Sequence, residues 1–330
     1  MVKAFVFGKF LPFHKGHEAM ISFALTKCDF LSVMVCCDNE ESIPGEVRKQ
    51  WIESTFHDLK NIEVKVLYYD NGLLPNTSQI SLSVSEIWSA EFRRHYPGHN
   101  LLITSEPYGD LVAGFMGIKH IPFNLEKDIY PVSATAIRNK LFSNWHYLPA
   151  AVKPYFVVKV VILGTESTGK TTLTEQLASY YNCSMVAEAG RDLIPDSTDF
   201  SFDNLLSVAN HHAKKINEAV CGDSPLVIID TDIHITKSYA KFAFDRELPV
   251  NEYINDANKA DLYLYLNNDV PYYQDGTRLN KIDRDLLDQS HREILAGHQI
   301  KFVEILGIWQ SRLEQAVSEV SKLIINKSTR

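Results

Sequence analysis

The chain contains few cysteines, and their spacing matches no metal site or disulfide framework. Only 5 of the 330 residues are Cys, and none lies in a CxxC or Cys/His pattern. A structural zinc site or a disulfide-stabilised secreted fold would require such a pattern. Cys36 and Cys37 lie in an apolar run and are expected to belong to a buried strand. We therefore expect a protein of a reducing compartment, the cytoplasm.

Long apolar segments and basic clusters are also missing. The longest apolar run, residues 155–163, is interrupted by Lys159 and is too short to span a bilayer. The first residues lead into a strand without a signal-peptide pattern. Asp plus Glu (41) outnumber Lys plus Arg (33), giving a net charge of −8. We therefore expect small-molecule partners, no nucleic acid and no membrane insertion, and the sequence leaves a homo-oligomer open.

Short β-branched and aromatic runs alternate with helical patterns along the whole chain. This alternation predicts an α/β protein built from two doubly wound parallel sheets. The length of 330 residues favours two domains, and Pro149 and Pro154 interrupt any helix at the join. We predict domains at residues 1–150 and 151–330. The predicted strands are Ala4–Phe7, Leu31–Cys37, Val64–Tyr69, Leu101–Thr104, His120–Phe123, Val157–Leu163, Ser184–Ala187, Leu226–Asp230, Leu262–Leu266 and Lys301–Ile305, and residues 309–325 form a closing helix.

The second half contains a phosphate-binding loop of the form GxxxxGK[ST]. It lies between the predicted strand Val157–Leu163 and a helical run over Thr172–Tyr181, which is the context the motif requires. Consecutive backbone N–H groups there would face a phosphate. Lys170 would reach the β- and γ-phosphates, and the Thr171 hydroxyl would hold Mg²⁺. The predicted ATP-binding residues are Gly164, Thr165, Glu166, Ser167, Thr168, Gly169, Thr171 and Thr172, although a Gly-rich turn without function is the alternative.

Two aspartates follow the apolar run that ends the third strand of this half. Asp230 or Asp232 would complete the Mg²⁺ site with Thr171, and the other would accept a proton from an attacking hydroxyl. The alternative for one of them is that it caps the next helix.

Further charged residues are expected at the same edge of the sheet. Arg278, in the segment DGTR, and Arg284 would belong to a lid that stabilises charge on the transferred phosphoryl group, unless they lie on a solvated face. Glu188 and Arg191 would bind the substrate or form an ordinary salt bridge.

The first half carries a histidine motif, GKFxPxHxGH, between its first strand and a helix. His14 and His17 are three residues apart, so both imidazoles can face one point at a helix start. Because no Cys or carboxylate completes a metal site there, we favour contact with phosphate oxygens over zinc. Gly16 would let the ligand approach the backbone closely.

A second element, the segment SxTxIR at residues 133–138, complements the histidine motif. Ser133 or Thr135 can cap a helix, and Arg138 can bind a triphosphate bidentately. A plain surface helix is the alternative for this segment alone. Together with HxGH it predicts a triphosphate site.

These motifs resemble those of a known enzyme family. HxGH followed by SxTxIR is similar to the signature of the nucleotidyltransferase superfamily. With GTESTGKT, IIDTD and DGTR in this order, the chain resembles the bifunctional nicotinamide-nucleotide adenylyltransferase / ribosylnicotinamide kinase family over nearly its whole length. Further similarities are Ser105–Tyr108, Arg48 with Trp51, Trp145 with Pro149, and Glu188–Arg191.

The resemblance implies two linked reactions. In the Rossmann-like first domain, nicotinamide mononucleotide would attack the α-phosphorus of ATP to give NAD and pyrophosphate. The residues implied there are Lys9, His14, His17, Ser133, Thr135 and Arg138 at the triphosphate, Gly8 and Phe10 beside the adenosine, and Arg48 and Trp51 at the substrate. In the P-loop second domain, ATP with Mg²⁺ would phosphorylate nicotinamide riboside, the source of that mononucleotide.

Two departures from the family pattern limit what the resemblance implies. Because the first strand begins within five residues, we expect no preceding DNA-binding regulator module. The tryptophan that stacks on nicotinamide in the family is missing from residues 76–85, so Trp51 or Trp88 would have to replace it. Which pyridine substrate the first domain prefers therefore stays open, as does whether both activities are retained.

Two other functions are compatible with the motifs. An adenylyltransferase fused to a dephospho-coenzyme A kinase would have the same architecture, although DTD and DGTR favour the nicotinamide interpretation. A nucleotide-gated sensor with idle catalytic groups is the alternative from a different class.

Overall fold

The structure, a computed structural model, describes residues 1–75, 80–126, 128–194, 200–270 and 280–328. These residues form two compact units, Met1–Val152 and Lys153–Arg330. Arg278 and the rest of DGTR lie outside the described residues, as does part of the stretch where the family tryptophan is missing.

The first unit alternates strands and helices. Its elements are β1 (Lys3–Gly8), α1 (Lys15–Leu25), β2 (Phe30–Asp38), α2 (Gly45–Thr55), β3 (Ile62–Tyr69), α3 (Leu82–His95), β4 (Leu101–Thr104), α4 (Gly109–Met116), β5 (Lys119–Pro122), α5 (Ala134–Asn139) and a 3₁₀ turn (Trp145–Tyr147).

The five strands of this unit form one parallel sheet in the order β3-β2-β1-β4-β5. The strand order reverses at β1, where β2 lies on one side and β4 on the other. Phe5, Met34, Phe92 and Leu102 are buried between the sheet and its helices. Ligands bind at the carboxyl ends of parallel strands beside such a reversal, so the HxGH loop that follows β1 is correctly placed for this role.

The second unit repeats this plan with different connections. Its elements are α6 (Lys153–Phe156), β6 (Val158–Leu163), α7 (Lys170–Tyr181), β7 (Ser184–Val186), α8 (Gly190–Leu193), α9 (Phe202–Val220), β8 (Leu226–Asp230), α10 (Ile233–Phe244), α11 (Glu252–Asn258), β9 (Leu262–Leu266), α12 (Lys281–Gly297), β10 (Val303–Ile305) and α13 (Trp309–Ser328).

Its parallel sheet has the order β10-β9-β6-β8-β7. The central strands β6 and β8 are buried almost throughout, which explains why their sequences are continuous apolar runs rather than alternating ones. The α/β class, the two parallel sheets and the closing helix over residues 309–325 confirm the fold predicted from the sequence. Across the described residues, no helix has the length and apolar character needed to cross a membrane.

Candidate functional site

The histidine motif of the first unit forms the start of α1. His14 is the N-cap of this helix, and its Nδ1 accepts a hydrogen bond from the Gly16 N–H at 3.1 Å. A Cβ on residue 16 would lie 2.9 Å from the His14 ring, so Gly16 makes room for this cap. The His14 and His17 rings stack with their centroids 3.7 Å apart. The two imidazoles are therefore brought together as the spacing predicted.

Lys9 precedes the histidines and is held by a partly buried ion-pair network. Its Nζ lies 2.7 Å from Glu41, which also pairs with Arg48 at 2.7 Å. Burial lowers the pKa of Lys9, but the hydrogen bond and attraction of Glu41, together with Tyr69, outweigh it and the pKa is raised. Arg48 is fully buried and donates to the backbone carbonyls of Lys9 and Ile43. Arg48 thus supports the Lys9 segment from within the core.

The SxTxIR segment lies against the histidine loop. Ser133 caps α5 and accepts the Ala136 N–H at 3.1 Å. Arg138 donates to the carbonyl of Leu11, in the loop before HxGH, and to the Thr135 hydroxyl. The structure therefore brings Arg138 to the histidine motif across more than a hundred residues of sequence. Ser133 is occupied as a cap.

A small cavity of about 100 Å³ opens beside the first residues of the histidine motif. Gly8 and Lys9 line one side, and Trp88 lines another. The Trp88 indole is oriented by a hydrogen bond from Nε1 to the Pro75 carbonyl at 2.9 Å and by an edge contact with Tyr69. Trp51, in contrast, is 5 % exposed and does not belong to the lining residues described for this cavity. Trp88 is thus the tryptophan that faces it.

Phe10 and Gly8 pack on each other next to the histidines. Phe10 is 1 % exposed and contacts the His17 ring edge-on at 4.9 Å between centroids. A Cβ on Gly8 would lie 3.4 Å from the Phe10 ring. Phe10 therefore supports the His17 ring, while its neighbour Gly8 is among the residues that line the cavity.

In the second unit, the phosphate-binding loop connects β6 to α7. Gly164 and Gly169 have φ values of +141° and +87°, which favour glycine. Ser167 also lies in the left-handed region, at φ 60°. A Cβ on residue 169 would overlap the Trp309 ring at 2.2 Å. Both glycines of the motif are therefore required by this backbone.

The loop is closed by hydrogen bonds to the Thr165 carbonyl. The Thr168 hydroxyl donates to it at 2.8 Å and the Lys170 ammonium at 3.1 Å. Lys170 is 8 % exposed and lines the cavity described below. The exposed Thr172 belongs to the first turn of α7.

Thr171 joins the loop to the end of β8. Its hydroxyl donates to Asp230 Oδ2 at 2.6 Å. Burial raises the pKa of Asp230, an effect that Lys170 opposes and Glu188 reinforces. A hydroxyl beside a buried carboxylate fits Mg²⁺, which binds one or two protein oxygens plus substrate phosphates and waters. No larger cluster of His, Cys, Asp and Glu suited to a metal occurs in the described part of the chain.

Asp232 has a different environment from Asp230. It is the N-cap of α10 and accepts the N–H groups of His234 and Ile235. Its second oxygen lies 2.5 Å from Nδ1 of His234. The helix-capping alternative therefore describes Asp232, whereas Asp230 is bonded to the phosphate-binding loop.

The position of Arg284 differs from the one expected for an arginine in a lid over the phosphates. It lies in the first turn of α12, is 2 % exposed, and donates from Nε to the Glu166 carbonyl at 2.9 Å. Arg312 was not predicted from the sequence; it is 1 % exposed and donates to the Thr168 carbonyl at 2.7 Å. Two buried guanidinium groups therefore hold the phosphate-binding loop. A single Arg in an amphipathic helix pattern gives no sequence signal for this role.

A cavity of about 370 Å³ adjoins the phosphate-binding loop. Glu166, Ser167 and Lys170 line its loop side, and Glu188 and Arg191 line the end of β7. The Glu188–Arg191 ion pair is 3.4 Å long, with Arg191 largely exposed. Residues from α9 and α10 complete the wall, and the sequence analysis did not identify them: Leu205, Val208, His212, Ile235, Thr236 and Tyr239.

Two family models match the chain. The model described as an AAA domain matches residues 159–312. The model of the citrate lyase ligase C-terminal domain matches residues 4–68. These matches cover the phosphate-binding loop and the histidine motif, respectively.

Curated relatives match nearly the whole chain. The trifunctional NAD biosynthesis/regulator protein NadR of Escherichia coli (strain K12) is 28% identical over 326 residues, covering 91% of this chain and 78% of the relative. NadR of Salmonella typhimurium (strain LT2) is 28% identical over 319 residues, with the same shares covered.

Two solved structures have the same fold. A NadR protein in complex with NAD and AMP-PNP matches with a TM-score of 0.67 and 20% identity, covering 98% of this chain and 96% of that chain. A NadR protein in complex with NR matches with a TM-score of 0.68 and 21% identity, covering 97% of this chain and 95% of that chain.

Proposed function

We propose that this chain, as a member of the bifunctional nicotinamide-nucleotide adenylyltransferase / ribosylnicotinamide kinase family, makes NAD in two ATP-dependent steps. The second unit phosphorylates nicotinamide riboside, and the first unit joins the resulting mononucleotide to the adenylyl group of ATP. One observation carries the proposal: each unit has its own phosphate-binding motif at the carboxyl edge of a parallel sheet, beside its own cavity. We also propose a cytoplasmic location.

For the kinase step, the loop over residues 164–171 binds the triphosphate of ATP. Lys170 contacts the β- and γ-phosphates. Thr171 and Asp230 would hold Mg²⁺, whose charge would offset that of the phosphates. Arg284 and Arg312 keep the loop carbonyls fixed, so the N–H groups stay directed at the anion. Catalysis then depends on positioning and charge stabilisation.

The proton of the attacking 5′-hydroxyl needs an acceptor in the cavity. Asp232 is occupied as a helix cap, and Asp230 is bonded to Thr171. Glu188 lines the cavity at the end of the neighbouring strand β7. We therefore assign the base role to Glu188 and the metal role to Asp230.

For the adenylyl transfer, the histidine pair and Arg138 bind the ATP phosphates. Because Nδ1 of His14 accepts the Gly16 N–H, the neutral ring carries its hydrogen on Nε2, the tautomer that donates to a phosphate oxygen. Lys9 adds a positive charge at the end of β1. The phosphate of the mononucleotide attacks the α-phosphorus directly, and pyrophosphate leaves.

The pyridine ring of the mononucleotide fits the small cavity of the first unit. Trp88 and Tyr108 give this cavity aromatic walls, on which a cationic ring can stack. We therefore propose that Trp88 supplies the stacking surface that the missing family tryptophan would provide.

The test is to supply ATP and Mg²⁺ with one acceptor at a time. We expect phosphorylation of nicotinamide riboside, and formation of NAD and pyrophosphate from nicotinamide mononucleotide. Phosphorylation of dephospho-coenzyme A alone would favour the rival enzyme. ATP binding without turnover of any acceptor would favour the sensor.

A further inference from the structure

His212 lines the cavity of about 370 Å³ in the second unit, and the mechanism above does not use its imidazole. It lies on α9, is 5 % exposed, and belongs to the cavity lining. Its Nε2 lies 3.1 Å from the Thr231 carbonyl oxygen. A carbonyl only accepts hydrogen bonds, so the Nε2 atom carries the hydrogen and donates it.

The other ring nitrogen of His212 is a buried acceptor. Among the described residues, no group forms a hydrogen bond with Nδ1, although the atom is inaccessible to solvent. Burial lowers the pKa of His212, an effect that the bond to Thr231 opposes, so the ring is neutral and Nδ1 presents a lone pair. A buried acceptor without a partner is costly in a folded protein, and a ligand with a hydroxyl would satisfy it.

The position of His212 identifies which part of a nucleoside would reach it. Its partner Thr231 directly follows Asp230, which is bonded to Thr171 of the phosphate-binding loop. His212 therefore lies at the phosphate-transfer end of the cavity. The apolar part of the wall, formed by Ile194, Leu205 and Val208, suits the flat ring. The sugar, whose 5′-hydroxyl must meet the γ-phosphate, belongs at the His212 end.

We propose that Nδ1 of His212 accepts a hydrogen bond from a secondary hydroxyl of the ribose, so that His212 selects ribosides over deoxyribosides. The inference rests on the proposed kinase function of the second unit. A site with a buried acceptor for a hydroxyl rejects the analogue that lacks it, because the acceptor is then left unpaired. Apolar contacts with the ring cannot give this selectivity.

The experiment compares nicotinamide riboside with its 2′-deoxy and 3′-deoxy analogues. We expect the native enzyme to lose about 10- to 100-fold in kcat/KM on at least one deoxy analogue, mainly through KM. In His212→Gln the amide reaches the position of Nε2 but leaves no acceptor at the position of Nδ1. The ratio of kcat/KM between the riboside and its deoxy analogue should then fall to about threefold or less. His212→Asn, which places its amide near Nδ1, should restore part of it.

His211→Gln is the matched control, because His211 is the exposed neighbour on the same helix, and it should keep the native ratio. Hydrogen exchange of the β6 and β8 amides, which belong to the same unit as His212, checks that each variant is folded. A native enzyme that does not distinguish the deoxy analogues, or a ratio that persists in His212→Gln, would overturn the inference while leaving riboside phosphorylation intact. If His212→Gln and His212→Asn lose this ratio equally, the inference is also overturned, since His212 would then have a structural role. Failure to phosphorylate nicotinamide riboside at all would instead contradict the proposed function.

Discussion

The Thr171 hydroxyl donates a 2.6 Å hydrogen bond to Asp230, and this bond connects the phosphate-binding loop to the end of the neighbouring strand. The contact joins residues 59 positions apart in sequence. It forms because β6 and β8 are adjacent and parallel, so the segments that follow them meet at one edge of the sheet. The same edge carries Lys170, and we propose that these three residues form the kinase centre.

Replacement of Lys170 by Ala should abolish riboside phosphorylation and leave NAD formation from the mononucleotide unchanged. In the proposed mechanism the ammonium contacts the β- and γ-phosphates, and the first unit binds phosphate at a separate site. Separate assays of the two half-reactions provide the measurement. Lys322→Ala is the control, because Lys322 is an exposed lysine of the same unit that pairs with Glu319.

Loss of both activities in a folded Lys170→Ala protein would contradict the independence of the two sites. Unchanged kinase activity would remove Lys170 from the catalytic centre.

Replacement of His17 by Ala should lower NAD formation at least about a hundredfold, the scale of a lost oxyanion-type contact. The His14 and His17 rings act as one stacked pair, so the remaining ring would also lose its orientation. His57→Ala is the control, since His57 is a highly exposed histidine of the same unit. The rate of pyrophosphate release measures the effect. A loss smaller than about a hundredfold would mean that the pair is structural.

The fold and the motifs were predictable because their signals are local. Continuous apolar runs identify β6 and β8, and each motif lies directly after a strand, so its place at the sheet edge follows from topology. The pairing of His14 with His17 likewise depends only on spacing at a helix start.

The roles of the buried arginines were not predictable from local signals. Arg284 and Arg312 contact the phosphate-binding loop from 118 and 144 residues away, respectively. In sequence they resemble ordinary surface residues of amphipathic helices, and only tertiary packing buries them. The different contacts of Asp230 and Asp232 could not be predicted either, because they depend on which residue caps α10.

Replacement of Arg48 by Ala should destabilise the first unit by about 3 kcal/mol, since it leaves the buried Glu41 carboxylate without this partner. Arg48 also donates to the Lys9 carbonyl, so NAD formation should fall as Lys9 loses its position. Hydrogen exchange of the β1 and β2 amides measures the stability. Lys49→Ala, at the adjacent partly exposed lysine, should change it little. An Arg48→Ala protein as stable as the native chain would contradict the support role.

Acid should destabilise the second unit through His291, which is fully buried and bonded to Ser238 at 2.8 Å. Burial, reinforced by the charge of Lys170, lowers the pKa of His291 to about 3. Unfolded histidine has a pKa near 6.5, so the unfolded state takes up the proton first as pH falls. The stability contributed by the neutral ring is therefore complete above about pH 6.5 and is lost progressively toward pH 3.

Between pH 6.5 and pH 5 the loss should be about 2 kcal/mol from this residue, and His212, whose pKa is also lowered, adds to it in the same direction. Hydrogen exchange of the β6 and β8 amides, corrected for intrinsic rates, measures the loss. His291→Asn keeps a polar atom near Nδ1 but cannot titrate. The slope of its unfolding free energy against pH should therefore be smaller than that of the native protein by the uptake of about one proton. Equal slopes for the native protein and His291→Asn would show that His291 does not stay neutral in the folded protein, because only a buried neutral ring couples folding to this proton.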